Sequence, residues 1–73
     1  MDYKKLFGSN VRTFRKRKGL KQEELAKLCG LSRTYISEVE LGKKNISLEN
    51  MVVLAVGLGV NVVDLFVEAQ DVN

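Results

Sequence analysis

Four side chains between residues 33 and 38 carry groups that could read the edge of a base. Arg33 has a planar fork of five donors that matches guanine O6 and N7. Thr34 and Ser37 offer short hydroxyls, and Glu38 can accept from cytosine N4. At helical spacing these residues share one face, although such a set can equally be the solvated side of an ordinary amphipathic helix. After them, Lys43, Lys44 and Asn45 place two cations and an amide in a loop suited to sugar and phosphate. Before them, Gln22 opens a helical segment, where its amide and the unpaired first-turn N–H groups could grip a phosphate. The plainer alternatives are a solubilising turn and an ordinary polar residue at a helix start.

Other chemistries lack their parts. The chain has no histidine, Cys29 is its only thiol, and no glycine-rich loop runs into a lysine. Zinc hydrolysis, Ser/His nucleophilic chemistry and P-loop phosphate binding therefore have no residues to use. Neither catalysis nor a metal, cofactor or small-molecule ligand is expected. Cys29, just before Gly30 at a position that should face a core, is read as a small hydrophobe, which suits a reducing cytoplasm.

The frame that would present the base-reading face lies between Gln22 and Leu41, which has the anatomy of a helix-turn-helix. Ala26 falls where the two helices must pass closest. Gly30 supplies the positive φ that the turn needs, and Ser32 can cap the next helix by accepting from an N–H of its first turn. Ile36 and Val39 lie three apart on one side of the second helix. With Leu25, Leu28 and Leu31 they are expected to seal the pair into a common core. That leaves Arg33, Thr34, Ser37 and Glu38 outside.

The remaining segments are read around this unit. Leu6, Phe7, Val11 and Phe14 recur at helical spacing and predict a first helix from about Tyr3 to Lys18. Gly19 stops it, and Arg15 to Lys18 occupy its last turn, where cations favour the negative end of the helix dipole. Lys21 is a poor N-cap for the second helix. Ser47 should cap a fourth helix running to about Leu58, with Leu48, Met51, Val52, Ala55 and Leu58 pointing inward. Asn61 and Asp64 suggest a capped short last helix reaching Phe66 or Val67, after which Glu68 to Asn73 should fray. The valines and leucines left over between Val53 and Val67, Phe66 with them, exceed what two short helices can bury. An exposed apolar surface over about residues 48–67 is expected, with Val53, Val56, Val63, Leu65 and Phe66 as its members, and such a patch marks an interface.

Seventy-three residues are read as one domain, 1–73, close to the size at which a single core is barely sufficient. Self-association is the expected source of further stability. All twelve Lys and Arg lie between Lys4 and Lys44, where five acids leave a net +7, while four acids from Glu49 onward make the rest −4. A basic module with a helix-turn-helix points to nucleic acid. The longest apolar run, Met51 to Val60, is too short to span a bilayer and no apolar leader opens the chain, so a soluble, cytoplasmic protein without membrane contact is expected.

The stretches RKRKGL, QEELA, GLS, YIS, VE and GK, followed by a helix ending GLGVNVVDLF, resemble the Cro/repressor-type (XRE-like) helix-turn-helix family of bacteria and phage over essentially the whole chain. The resemblance implies an all-α, five-helix, lambda-repressor-like domain that binds a double-stranded operator as a homodimer and regulates transcription. SRTYIS leading to E-x-G-K-x-N-x-S-L looks most like the small controller proteins of restriction-modification systems. Residue by residue, the likeness assigns Gln22, Tyr35, Lys43, Lys44 and Asn45 to the DNA backbone and Arg33, Thr34, Ser37 and Glu38 to the bases. It further implies an internal ion pair between Arg15 and Glu40. Lys21 and Glu38 depart from the pattern, the first at a cap and the second as an acid facing a polyanion. Two other classes fit the sequence less well: an antitoxin-like or adaptor protein whose apolar C-terminal half binds a different chain, and an RNA-binding or purely structural helical domain.

Overall fold

The computed structural model describes residues 1–68. Helix α1 (Tyr3–Arg17) is followed by α2 (Gln22–Cys29), α3 (Arg33–Glu40) and α4 (Leu48–Leu58), and a 3-10 helix (Val62–Phe66) completes the order. Among the described residues, four α-helices and one 3-10 turn thus stand where five helices were expected. The last segment is only five residues long and closes on itself through Asp64 N donating to Asn61 O at 2.9 Å. So short a run settles into the tighter i→i+3 pattern. The expected fraying of Glu68 to Asn73 falls, beyond Glu68, outside the described residues.

Local chemistry starts each helix. Asp2 accepts from Lys4 N and Lys5 N at the head of α1, Ser32 Oγ accepts from Tyr35 N at 3.0 Å, and Ser47 Oγ accepts from Asn50 N at 3.1 Å. Lys21 makes no side-chain cap. Glu24 reaches back instead and accepts from Lys21 N at 2.8 Å, so α2 keeps half of a capping box. Between α2 and α3, Gly30 adopts φ 66° and turns the chain.

The core gathers Phe7 and Val11 from α1, Leu25 and Ala26 from α2, Ile36 and Val39 from α3, Leu54, Ala55 and Leu58 from α4, and Leu65 from the 3-10 helix. Three expected core residues lie at the surface. Leu28 is 63% exposed; at about 100° per residue it sits roughly 110° from the middle of the arc that buries Leu25, Ala26 and Cys29. On α4, Leu48 and Val52 face outward and Leu54 takes the inward position. Almost every residue of α4 is apolar, so no polar face marks its rotation and periodicity cannot choose.

Two residues that position the site escaped sequence reasoning. Gly8 is the close-approach point between α1 and α3, because a Cβ there would collide with Val39 O. Asn10 is buried at 3% exposure, and its Nδ2 donates to Leu65 O at 2.9 Å and Val67 O at 3.0 Å, fastening the end of the described chain to α1. The buried Leu65 carbonyl needs a donor, and the second N–H of the same amide group reaches the part-buried Val67 carbonyl.

Candidate nucleic-acid interface

Helix α3 is held by its inner side and leaves its outer side to solvent. Ile36 and Val39 are fully enclosed, while Arg33 and Thr34 are exposed and Ser37 and Glu38 half-exposed. The structure therefore brings these four polar residues onto one open face.

Beneath the joint of α1, α2 and α3 lies a polar network. Arg15 Nε donates to Glu40 Oε2 at 2.6 Å and Nη2 donates to Oε1 at 3.1 Å, while Nη1 donates to Leu20 O at 2.7 Å. Gln22 Nε2 adds a further donor to Glu40 Oε1 at 3.0 Å. The side chains of Arg15 and Glu40 are only 10% and 4% exposed. A two-point guanidinium–carboxylate contact with the spare donor also satisfied is the arrangement in which a buried charge pair is tolerated. Gln22 thus spends one amide hydrogen on Glu40 and is fixed at the first turn of α2, where the helix end favours an anion. Arg12, Arg15, Gln22, Ser37, Glu40 and Leu41 together line a hollow of about 260 Å³. Sequence reasoning did not single out Arg12, whose place in the same hollow as Gln22 depends on how α1 and α2 each pack against α3.

The loop after α3 is tied to the same helix. Lys43 N donates to Glu38 O at 2.9 Å, and Lys44 Nζ lies 3.3 Å from Glu38 Oε1 and 5.5 Å from the centre of the Tyr35 ring. Tyr35 itself is half-buried, and its hydroxyl accepts from Asn50 Nδ2 of α4 at 3.0 Å. Lys43 and Asn45 are exposed. The loop's backbone-facing candidates therefore differ: Lys43 and Asn45 are open, whereas Lys44 and Tyr35 are engaged within the fold.

On α4 and the 3-10 helix, Val56 and Val63 are 74% and 71% exposed, and Leu48 and Val52 are exposed as well. Val53 is half-buried, its carbonyl facing Cys29 Sγ at 3.7 Å. Phe66 is half-buried against Phe7, with ring centres 5.2 Å apart. Leu65 does not belong to this surface. It is 0% exposed, because it lies three residues after Val62 in the 3-10 turn and points with it toward the core, while Val63 between them points out. Burial pushes the Cys29 thiol up from its ordinary value, so it is protonated at neutral pH. Among the described residues no group of three or more acids, cysteines or histidines converges as a metal site, and no helix is long and apolar enough to cross a membrane.

The Helix-turn-helix family model matches residues 11–65, from the middle of α1 to the 3-10 turn. The chain belongs to the helix-turn-helix family. Control protein C.SmaI of Serratia marcescens is 42% identical over 62 residues, which cover 85% of this chain and 74% of that protein. A hypothetical transcription factor of Neisseria meningitidis aligns over 70 residues at 44% identity, 96% of this chain and 66% of the relative, so this helix-turn-helix chain spans just under two thirds of it. The crystal structure of the Neisseria factor superposes with a TM-score of 0.86 over 93% of this chain and 78% of that one. The restriction-modification controller protein C.AhdI from Aeromonas hydrophila superposes with a TM-score of 0.83 at 44% identity, over 86% of this chain and 96% of that one. In this helix-turn-helix domain α2 and α3 form the motif, with α1 and α4 packed behind it.

Proposed function

We propose that the chain is a sequence-specific DNA-binding transcriptional regulator that acts as a homodimer on a pseudo-palindromic operator, in the manner of a restriction-modification controller protein. The observation that carries this reading is the division of α3: Ile36 and Val39 enclosed, and Arg33, Thr34, Ser37 and Glu38 turned outward beside a lysine loop. Helix α3 enters the major groove, where Arg33 reads guanine and the hydroxyls of Thr34 and Ser37 make shorter contacts. Gln22, Lys43 and Asn45 hold sugar and phosphate, with Arg12 as a further phosphate contact beside Gln22. The likeness to control proteins at 42–44% identity supports the controller assignment. Such a regulator works in the cytoplasm, where the DNA is.

The exposed apolar residues Leu48, Val52, Val56 and Val63 meet their own copies across a two-fold axis. Symmetry then sets the target, because two recognition helices about 34–36 Å apart require half-sites one helical turn apart. Selection from random duplex DNA should enrich a two-fold symmetric consensus, and sedimentation at micromolar concentration should give twice the 8.2 kDa chain mass. A chain that enriched no consensus, or preferred single-stranded RNA, would overturn the assignment.

A further inference from the structure

Glu38 is a carboxylate on the face that meets a polyanion, and the structure does not leave it alone. Lys44 Nζ lies 3.3 Å from its Oε1, and the two side chains are 42% and 40% exposed. The lysine is delivered there from several sides. The loop is pinned to the end of α3 by Lys43 N donating to Glu38 O, the ammonium rests over the Tyr35 ring, and the Tyr35 hydroxyl is held by Asn50 from α4. An ion pair this wet is weakly held and opens at little cost. Its two members have opposite demands on DNA. A carboxylate in the major groove gains from an amino group such as cytosine N4 and is repelled by guanine O6 and N7 or thymine O4, whereas an ammonium is drawn to any phosphate.

We propose, resting on the DNA-binding reading above, that Glu38 and Lys44 form a charge latch that makes one phosphate contact conditional on base identity. Where a base amino group faces Glu38, the carboxylate passes from Lys44 to that N–H and the freed ammonium moves to phosphate. Elsewhere the pair stays closed, presents no net charge, and the complex forgoes the contact. Glu38 is then a specificity-determining residue that works by withholding affinity from wrong sequences.

The test compares wild type, Glu38→Gln, Lys44→Gln and the double variant on a duplex selected by the wild-type protein and on a scrambled duplex of the same composition. Affinities are measured from about 50 to 200 mM salt, and circular dichroism checks that each variant is folded. Glu38→Gln should tighten binding to the scrambled duplex roughly three- to tenfold and steepen its salt slope by about 0.9 per half-site, narrowing the discrimination between duplexes by a similar factor. Lys44→Gln should weaken the selected duplex, where it removes the phosphate contact, more than the scrambled one, where it only uncovers the Glu38 carboxylate, and the double variant should bind the scrambled duplex as wild type does. If Glu38→Gln shifts both duplexes by the same factor, or Lys44→Gln weakens both alike, the latch is overturned while DNA recognition stands. A wild-type protein that does not distinguish selected from scrambled duplex overturns the DNA-binding reading and the latch with it.

Discussion

Helix α3 carries two glutamates two residues apart, and each meets a cation under opposite conditions. Glu40 is held by Arg15 through two hydrogen bonds at side-chain exposures of 4% and 10%, with Gln22 as a third donor. Glu38 meets Lys44 through one contact at 3.3 Å, both side chains about two-fifths exposed. In the dry pair the charges have given up water, so the loss of either partner strands the other. In the wet pair water can replace either partner, so the contact adds little to the fold and stays free to rearrange. About half a turn of helix thus separates a carboxylate committed to architecture from one free to rearrange.

That contrast can be broken by removing cations one at a time. Arg15→Met leaves the buried Glu40 carboxylate unpaired and should cost about 3–5 kcal/mol; at roughly 4–8 °C per kcal/mol for a domain of this size, a thermal melt reads it directly. An unchanged melting temperature would show that the Arg15–Glu40 pair does not hold α1 to α3. Asn10→Ala sharpens the comparison with a buried but neutral donor, and stranding the Leu65 carbonyl should cost about 1–3 kcal/mol in the same assay.

Arg33→Ala should leave the melt unaltered yet lose about 1–3 kcal/mol per half-site on the selected operator and relax one base position. Lys43→Ala, by contrast, should weaken selected and random DNA equally. Equal losses on both duplexes for Arg33→Ala would move that residue to the phosphate class. The smallest effect is expected for Lys44→Ala on stability, within about 0–1 kcal/mol by urea titration. A larger loss would mean that the Lys44–Tyr35–Asn50 chain is part of the core architecture.

Much of this arrangement is readable from single residues. Ser32 and Ser47 cap because a short hydroxyl ahead of a helical run can reach an N–H two or three residues on, and Gly30 turns the chain because it lacks a Cβ. Such signals act within one turn of backbone, so they survive in any tertiary context. The confinement of every Lys and Arg to the first 44 residues likewise belongs to the sequence itself.

Tertiary structure decided whatever depends on how one element lies against another. Rotation of the largely apolar α4 placed Leu54 inside and Val52 outside, and the crossing of α1 with α3 turned Gly8 into a steric requirement. Asn10 serves carbonyls 55 and 57 residues away, Leu65 went to the core while Val63 stayed out, and Glu38 acquired Lys44 as a partner. None of these has a local signature. The α4 rotation, the Gly8 contact and the Asn10 bonds follow from distances between segments remote in sequence, which exist only once the helices have packed, while the Glu38–Lys44 pair follows from how the next loop folds back on α3.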